Sequence, residues 1–521
     1  MNVAQALHDQ VANRPNEAAL IDVHRGQDRV FSFEQFEQAS SRLAAELSSQ
    51  GIVAGDGILV LHPMSVELYA FLMALFRIGA VAVFLDPSAG RGHIARCCEL
   101  FPLKGFFGSQ KAHLLRVAVP ALRRLLLAWS SKWFPGTFQL SLERNAIQEA
   151  PIADLKDSAP ALVTFTSGST GQPKAALRSH GFLLAQHRAL ATSIGLRAGT
   201  LDLTTLPIFV LANLASGVTS VLPNADLRSP GKIDSAPVLR QIAQIRIETI
   251  GASPALVERL VDGIEEGHAD TESVRHVFMG GAPVFPRDLR RAHTAFPRAE
   301  ITAVYGSTEA EPIAEISLSR LSSDDFLAME HGRGLLTGNP VQSLALRIIH
   351  DQWGTPISGL DEEGFKKLFV ANGAVGEIVV SGDHVLPGYL HGLGDSETKF
   401  DVDGERWHRT GDLGRLDQQG RLWLLGRASA AIKDEHGVLY PFAIECAALQ
   451  ISGVSRAAIL SIEGRRILVI ESSTHAAGEA ARESLQWAFI DEVRLLRSIP
   501  MDKRHNAKVD YVALRKILLA G

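Results

Sequence analysis

"TFTSGSTGQPKAALRSHG", residues 164–181, joins the residue types of a phosphate-binding loop to the flanks of an α/β unit. Its small hydroxyl side chains supply hydrogen-bond donors, its glycines let the backbone approach a ligand, and Lys174 balances negative charge. The expected ligand is a phosphate-bearing molecule. ATP is the first candidate.

Two ordinary interpretations of this run compete with a ligand site. Clusters of Gly, Ser, Thr and Pro usually mark a solvated loop. However, residues 161–165 have the pattern of a buried strand and residues 182–190 have helical spacing, so the loop is expected to join a strand to a helix, where ligands gather in α/β proteins. A Walker-type loop needs Gly directly before the lysine and Ser or Thr directly after it, and Pro173 and Ala175 occupy those positions. A different kind of phosphate loop is therefore predicted.

Apolar strands alternate with helical patterns from about residue 30 to about residue 320. This alternation predicts an α/β fold with a mostly parallel sheet flanked by helices. After about residue 335 shorter strands and turns predict a β-rich subdomain. We place a boundary after Arg427, which gives an amino-terminal domain of residues 1–427 and a small α+β carboxy-terminal domain of residues 428–521.

The bulk composition is that of a soluble globular enzyme, with 521 residues of which 46% are hydrophobic and 21% charged. A net charge of −5 gives no general cationic surface, so nucleic acid is not an expected partner. Cys97, Cys98 and Cys446 lack metal-ligand spacing and predict core thiols in a reducing compartment. Residues 1–14 lack the apolar block of a secretory signal, and the expected location is the cytoplasm.

Two stretches bear on membranes. Residues 68–85 are long and apolar but contain Arg77 and Gly79, which predicts a buried helix followed by a core strand. Residues 113–136 alternate Arg and Lys with Leu, Trp and Phe. This pattern fits peripheral membrane contact through an interfacial helix on anionic lipid, or a helix that lines the entrance to the site for an apolar substrate. An amphipathic surface helix packed on its own domain is the ordinary alternative.

Four further motifs follow the loop, and each offers chemistry that ATP-dependent acid activation needs. The first, "MGGAP" (279–283), follows a strand and exposes backbone against which a planar base would lie. The second, "VYGSTEAE" (304–311), supplies the aromatic face of Tyr305, the hydroxyl of Thr308 and the carboxylate of Glu309. Mg²⁺ prefers oxygen ligands that it shares with phosphates, so Glu309 is a metal-ligand candidate.

The third and fourth motifs offer ribose ligands. "WHRTGDLG" (407–414) places Asp412 in a turn, where a carboxylate can accept hydrogen bonds from both ribose hydroxyls. "GRASAAIKDEHGVLYPFAIE" (426–445) begins with a second sugar-binding candidate, Arg427. Each of these residues taken alone has an ordinary structural explanation, but the ordered set of five motifs is specific.

The ordered set resembles the adenylate-forming superfamily, which includes acyl- and aryl-CoA ligases, adenylation domains of peptide synthetases, fatty acyl-AMP ligases and luciferases. The resemblance runs from "FSFEQFEQASSRLAAEL" (31–47) to "IPMDKRHNAKVDYVALRK" (499–516). It implies a large amino-terminal domain and a small carboxy-terminal domain that rotates between two half-reactions. It also implies that ATP and Mg²⁺ are used to convert a carboxylate into an acyl-adenylate, with release of pyrophosphate.

The resemblance also assigns roles to residues of this chain. The phosphates would be held by Thr166, Ser167, Gly168, Ser169, Thr170, Gly171 and Lys174. The adenine would lie against Gly281, Ala282, Pro283, Tyr305 and Gly306, and the ribose against Asp412 and Arg427. Thr308 and Glu309 would act at the phosphates, with Glu309 and Thr170 as the metal ligands.

Lys508 would be the lysine of the rotating domain. Its physical task is to bring positive charge to the carboxylate and the α-phosphate as negative charge builds, an effect in the range of about 3 kcal/mol for a single preorganised donor. Removing it is expected to stop adenylation while ATP still binds.

Three positions depart from the usual pattern of the superfamily. Ser429 stands at the hinge, where a small polar residue can absorb backbone rotation. Ala507 replaces the Gly before the catalytic lysine, and Val210 replaces a His that usually follows "LP". The last two departures bear on CoA transfer more than on adenylation.

Some segments are similar to a narrower group, the β-lactone synthetases of bacterial long-chain olefin biosynthesis and their close ligase relatives. These segments are residues 203–231, residues 251–260 and "MDKRHNAK" (501–508). The similarity implies a second half-reaction without a thiol, in which the hydroxyl of an adenylated β-hydroxy acid attacks its own acyl carbon. Tethering makes such an attack efficient. His505 is then a candidate proton acceptor, with a loop hydrogen-bonding role as the alternative.

The substrate is expected to be an aliphatic or aromatic acid. Residues 208–217, the expected acyl-pocket stretch, contain Phe209, Val210, Leu211 and Leu214 but no carboxylate to anchor an ammonium group. Three hypotheses stay open: a ligase that transfers the acyl group to CoA or an acyl carrier protein, which leads; a β-lactone synthetase; and a nucleotide-binding partner protein without catalysis.

Overall fold

The computed structural model describes residues 1–86, 90–142, 149–167, 173–267, 269–502 and 508–520, and of Thr166 and Ser167 it describes the backbone alone. The chain divides into two compact units. Unit 1 comprises Met1–Asn224, Ile247–Thr249 and Asp383–Ser396. Unit 2 comprises Ala225–Arg246, Ile250–Gly382 and Glu397–Gly521.

Residues up to 224 form helices and strands in alternation. The helices are α1 (Val3–Asn13), α2 (Phe33–Ser49), α3 (Val66–Ile78), α4 (Arg91–Leu100), α5 (Gln110–Ala118), α6 (Pro120–Arg123), α7 (His180–Ser193) and α8 (Pro207–Ser216). The strands are β1 (Ala18–His24), β2 (Gln27–Ser32), β3 (Gly57–Leu61), β4 (Val81–Phe84), β5 (Leu103–Gly108), β6 (Leu127–Ser130), β7 (Phe138–Gln139), β8 (Pro160–Ser167), β9 (Pro173–Ser179), β10 (Leu201–Thr204) and β11 (Thr219–Val221).

A seven-stranded sheet of order β7-β6-β5-β3-β4-β8-β9 forms the centre of unit 1. Its neighbouring strands pair in parallel except for β9, which runs antiparallel to β8. Elsewhere in unit 1, β10, β11 and β1 are parallel neighbours and β2 runs antiparallel to β1. The parallel sheet and its helices confirm the expected α/β class.

Apolar helix α3 shows how local signals place elements in this core. The Ser65 side chain accepts a hydrogen bond from the Leu68 N–H at its start, and Gly79 ends it at a φ of 77°. It is 13 residues long, it is followed by β4, and its apolar side chains are buried except for Ile78, which is partly buried. Within the described ranges, no helix is both long enough and apolar enough to cross a membrane.

The strand-to-helix prediction for the phosphate loop is wrong in one respect. The described chain after residue 172 continues as strand β9, and helix α7 begins only at His180. Backbone pairing of β9 with β8 places Lys174 opposite Thr166. Its sequence, "PKAALRS", has little intrinsic strand preference. The pairing with β8 decides its conformation, which local sequence does not report.

From residue 225 onward the chain adds further helices and strands. The helices are α9 (Ser235–Ile245), α10 (Pro254–Glu266), α11 (Pro286–Ala295), α12 (Ser323–Ala328), α13 (Glu362–Lys366), α14 (Asp395–Thr398), α15 (Pro441–Ala448), α16 (His475–Ser484) and α17 (Tyr511–Ala520). The strands are β12 (Thr249–Ala252), β13 (His276–Met279), β14 (Glu300–Ser307), β15 (Ala310–Ser317), β16 (Leu335–Pro340), β17 (Ala345–Ile349), β18 (Gly376–Ser381), β19 (Lys399–Val402), β20 (Glu405–Leu416), β21 (Leu422–Arg427), β22 (Ile432–Asp434), β23 (Gly437–Leu439), β24 (Arg456–Ile462), β25 (Arg465–Glu471) and β26 (Glu492–Leu496).

In unit 2 the sheet changes from parallel to antiparallel along the chain. Strands β13 and β14 are parallel, whereas β14 to β16 and β16 to β21 pair antiparallel. Strands β17, β18, β20 and β21 continue the antiparallel pattern. This is the β-rich part expected after residue 335.

A fully buried ion pair holds the β-rich part together. Arg409 on β20 donates to both carboxylate oxygens of Glu377 on β18, over 2.7 and 2.8 Å. Both side chains are 0% exposed. Arg409 also donates to the backbone oxygens of Gln352 and Thr355, so its guanidinium is well satisfied.

The carboxy-terminal residues form a small α+β structure. Strands β24, β25 and β26 make a three-stranded sheet with helices α15, α16 and α17 around it. Apolar side chains of residues 432–518 form two hydrophobic clusters on this sheet. The domain boundary after Arg427 stays a prediction.

Candidate active site

Unit 2 contains a cavity of about 380 Å³. Eight of the residues selected from the sequence line it: Gly281, Ala282, Pro283, Tyr305, Gly306, Asp412, Arg427 and Lys508. They come from five separate segments of the chain. Apolar side chains including Leu335, Phe442 and Met501 complete the wall. A cavity with convergent polar groups on an apolar wall has the composition of a small-molecule site.

The centre of this cavity is a hydrogen-bonded group of three side chains. The Tyr305 hydroxyl on β14 donates to Asp412 Oδ2 over 2.7 Å. Arg427 donates from Nη1 to Asp412 Oδ1 over 3.1 Å and to the Thr410 backbone oxygen over 2.7 Å. Asp412 on β20 and Arg427 on β21 are directly opposed in the antiparallel register. The strand pairing therefore fixes the carboxylate between a phenol and a guanidinium.

Burial and the Asp412 charge set the electrostatics of this group. Burial, followed by the Asp412 charge, raises the pKa of Tyr305 well above its usual value, so the phenol is a permanent donor. The Asp412 carboxylate raises the pKa of the Arg427 guanidinium. A carboxylate has about four lone-pair positions, and these two partners use two of them. The remaining positions are available to hydroxyl groups of a ligand.

The "MGGAP" segment forms the turn after β13. Gly281 has a φ of 80°, a left-handed conformation that side chains with a Cβ rarely adopt. A Cβ on Gly280 would lie 3.3 Å from the Val304 backbone oxygen on the adjacent strand. These two glycines let the turn pack against the strand that carries Tyr305. Such a turn exposes flat backbone of the kind expected to lie against an adenine ring.

Thr308 and Glu309 form the tight turn between β14 and β15. The Ser307 Oγ accepts hydrogen bonds from the backbone N–H groups of Glu309 and Ala310, each over 3.2 Å. The Glu309 charge acts on Arg427 and on buried His408. Burial first, then the Lys399 charge, lower the pKa of His408 to about 3, so this imidazole is neutral.

The donor set at Glu309 fits Mg²⁺ and does not fit zinc. Among the described residues there is no group of three or more His, Cys, Asp or Glu side chains that could hold a metal ion. Mg²⁺ keeps several waters and is bound through one or two carboxylates together with substrate phosphates. One protein carboxylate, such as that of Glu309 in the turn between β14 and β15, is therefore sufficient for a Mg²⁺ site. Its predicted second ligand, Thr170, lies outside the described residues.

Lys508 lines the cavity and lies next to a short antiparallel β-bridge near the end of the chain. Met501 and Val509 form a β-bridge. The Asp502 N–H donates to the Lys508 backbone oxygen over 2.7 Å, and the Lys508 N–H donates to Asp502 Oδ1 over 3.0 Å. Both backbone polar groups of Lys508 are thus hydrogen-bonded to Asp502. Residues 503–507, which include His505 and Ala507, lie outside the described residues.

A buried pair next to Lys508 was not found by sequence reasoning. The Tyr511 hydroxyl on α17 donates to Glu445 Oε1 on α15 over 2.6 Å, and both residues line the cavity. Burial raises the pKa of Glu445 to about 7 and that of Tyr511 well above its usual value. The pair links the helix after Lys508 to the helix after the hinge candidate Ser429, which lies in a short 3₁₀ turn (Ala428–Ala430). No motif contains both residues.

The remaining phosphate-loop candidates belong to unit 1. The Lys174 side chain is 9% exposed and packs against Gly394, with Nζ 5.7 Å from the centre of the Tyr389 ring. Gly168, Ser169, Thr170 and Gly171 lie outside the described residues, as do the side chains of Thr166 and Ser167. The roles of this loop stay predictions.

Helix α8, the expected acyl-pocket stretch, packs mainly into the core. Val210 and Leu214 belong to the hydrophobic core of unit 1. Asn213, on the same helix, donates to Asp202 Oδ2 over 2.7 Å. Burial raises the pKa of Asp202 to about 6, and Thr249 donates to its other oxygen over 2.7 Å. A carboxylate therefore stands beside α8 from a neighbouring strand, but two donors already occupy it.

Comparison with known proteins bears directly on this site. The family model for AMP-binding enzymes matches residues 7–390. The chain belongs to the AMP-binding enzyme family. The family resemblance inferred from the sequence motifs is thus confirmed, and adenylate-forming enzyme activity is the function that the family carries.

Relatives of this AMP-binding enzyme include both expected groups. An olefin β-lactone synthetase of Stenotrophomonas maltophilia is 29% identical, over 98% of this chain and 96% of its own length. A long-chain-fatty-acid–CoA ligase of Mycobacterium tuberculosis, FadD13, is 24% identical, over 88% of this chain and 86% of its own length. The amide bond synthetase McbA of Marinactinospora thermotolerans shares the fold, with a TM-score of 0.80, 20% identity and 99% of both chains covered.

Proposed function

We propose that the protein activates an apolar carboxylic acid with ATP, forming an acyl-adenylate and pyrophosphate. One observation carries the proposal: a single cavity is lined by the "MGGAP" turn, by the Tyr305–Asp412–Arg427 group and by Lys508. A binding protein without catalysis would have no use for a lysine at this position.

Each part of the cavity has a task in adenosine binding. The adenine lies between the Gly281–Pro283 backbone and the Tyr305 ring, where stacking is favourable. The two ribose hydroxyls donate to Asp412, whose oxygens face inward from β20. Arg427 donates a hydrogen bond to this carboxylate and so orients it.

The chemical step is an exchange at the α-phosphorus. A carboxylate oxygen of the acid attacks it, the bond to the bridging oxygen of the pyrophosphate breaks, and pyrophosphate leaves with the electron pair. Lys508 neutralises the charge that builds on the attacked phosphate, and a preorganised donor of this kind contributes about 3 kcal/mol. Glu309 would hold Mg²⁺, which when bound neutralises phosphate charge.

For the second half-reaction we propose intramolecular transfer. The hydroxyl oxygen of an adenylated β-hydroxy acid attacks the acyl carbon, the bond to the AMP oxygen breaks, the hydroxyl proton passes to a base and a β-lactone forms. Similarity to olefin β-lactone synthetases over 98% of the chain supports this, and so do Ala507 and Val210, which replace a usual Gly and His.

Transfer to CoA or to a carrier thiol is the second candidate. It is the leading hypothesis from the motifs, and CoA ligases of a plant and of bacteria match 85–97% of the chain at 24–28% identity. The three free cysteines fit a reducing compartment, so we propose a cytoplasmic location for either activity.

The experiment is product analysis by mass spectrometry, with ATP, Mg²⁺ and a panel of acids that do or do not carry a β-hydroxyl, with and without CoA. Intramolecular transfer predicts a product 18 Da lighter than the β-hydroxy acid, formed equally without CoA, as loss of one water requires. A product that needs CoA and forms from acids without a β-hydroxyl favours the ligase. Release of AMP with neither product contradicts both.

A further inference from the structure

Residues 110–138 of unit 1 present an outward face that is both apolar and basic. Four apolar side chains on it are more than half exposed: Leu114 at 63%, Val117 at 56%, Leu126 at 87% and Trp133 at 68%. Single exposed apolar residues are normal on a protein surface. Four within twenty positions of one another need an explanation.

Hydrogen bonds bring together the segments that carry these four side chains. Leu114 and Val117 are three positions apart on α5 and therefore lie on the same side of the helix. Gln110, on that side at the start of α5, donates to the Trp133 backbone oxygen over 2.9 Å. Arg116 donates to the Leu125 backbone oxygen over 3.0 Å, which places Leu126 at the other end of the helix.

The opposite side of this segment accounts for its packing. His113 is fully buried, donates a hydrogen bond from Nε2 to the Trp129 backbone oxygen over 3.0 Å, and stacks on Phe134. Leu122 and Leu125 belong to a buried hydrophobic cluster. The packed-helix alternative is therefore correct for one side of the segment, and it leaves the exposed side without a structural role.

Charge identifies the partner. From residue 100 to residue 142 the sequence contains Lys104, Lys111, Arg116, Arg123, Arg124 and Lys132 and no Asp or Glu, in a chain of net charge −5. Lys111, Arg123, Arg124 and Lys132 are exposed, and they form no ion pair with the rest of the described chain. Trp and Leu flanked by exposed Lys and Arg have the composition of an interfacial membrane anchor.

We propose that this face, defined by Leu114, Val117, Leu126 and Trp133 with the four exposed cations, docks on an anionic lipid bilayer. The apolar side chains enter the headgroup region and the cations lie at the negatively charged surface. Each Lys or Arg near such a surface strengthens binding about fivefold at physiological ionic strength. Screening by salt weakens this contribution.

The test is co-sedimentation of the full chain with vesicles of phosphatidylcholine and phosphatidylglycerol (60:40) and with vesicles of phosphatidylcholine alone. Wild type is expected to sediment with the anionic vesicles and to be released by 0.5 M salt. The variant L126S/W133S is expected to bind at least tenfold more weakly, and the variant R123Q/R124Q about 25-fold more weakly.

The control is V30S/V53S, which removes two apolar side chains of unit 1 that are 54% and 59% exposed but lie outside this face. This control is expected to bind the anionic vesicles as wild type does. All variants are expected to keep the wild-type melting temperature, because none of the substituted side chains is buried. Three results would overturn the proposal: no sedimentation of wild type, equal binding to neutral vesicles, or equal binding by L126S/W133S. A wild-type dimer that L126S/W133S dissolves would assign the face to a second copy instead.

Discussion

Replacement of Asp412 by Asn tests the ribose site most sharply, because it changes charge and almost nothing in shape. In the structure Asp412 receives one bond from Tyr305 over 2.7 Å and one from Arg427 over 3.1 Å. Its remaining lone pairs accept the two ribose hydroxyls in the proposed complex. An amide keeps one acceptor oxygen and adds donors, so at least one of these ribose bonds is lost.

The magnitude follows from the value of a hydrogen bond to a charged group, about 1.5–3 kcal/mol. At about 1.4 kcal/mol per tenfold change, D412N is expected to bind ATP about tenfold to 150-fold more weakly. Y305F removes a bond to the same carboxylate without removing the charge, and is expected to weaken ATP binding less than about tenfold.

Titration calorimetry with a non-hydrolysable ATP analogue measures both effects. D417N is the matched control, because Asp417 follows β20, accepts bonds from Arg421 and Trp423, and does not line the cavity. It is expected to bind the analogue as wild type does. If D412N keeps wild-type affinity while D417N loses it, the assignment of Asp412 to the ribose is refuted.

Two further predictions concern stability. Burial raises the pKa of Glu445 from 4.5 to about 7, so the folded state binds this proton more tightly than the unfolded state does. The protonated group's contribution to the free energy of unfolding is therefore complete below pH 4.5. It is lost as the pH rises through 7. The melting temperature of E445Q relative to wild type should therefore rise between pH 5 and pH 8, and an equal difference at both values would argue against a buried titrating Glu445. R409M leaves Glu377 buried without its partner, which costs about 3–5 kcal/mol. Its denaturant midpoint should fall well below that of wild type, and an unchanged midpoint would show that the buried pair is dispensable.

Much of the cavity could be predicted from the sequence because its parts are local. The Gly281 turn, the Tyr305 strand and the Asp412–Arg427 pair are each fixed by a strand and the turn beside it, and such units have recognisable residue patterns. Asp412 and Arg427 lie on two consecutive strands of the chain, so their pairing needs only a hairpin. These residues line the cavity that the motifs implied.

Contacts between distant segments could not be predicted in this way. Glu445 and Tyr511 are 66 positions apart, and no periodicity or turn signal connects them. Asp202 on β10 lies next to α8, where it accepts a hydrogen bond from Asn213. This contact depends on how the strand and the helix pack, and the composition of residues 208–217 alone carries no sign of it. Strand β9 is a similar case, since its conformation depends on its partner β8.

Single-turnover formation of acyl-AMP by wild type and by K508A, with ATP, Mg²⁺ and a long-chain β-hydroxy acid, tests the adenylation chemistry most directly. Loss of about 3 kcal/mol of charge stabilisation corresponds to a rate about 100-fold lower in K508A, with ATP affinity unchanged within about threefold. Acyl-AMP formed by K508A at the wild-type rate, or no acyl-AMP from wild type with any fatty or aromatic acid, would contradict the account.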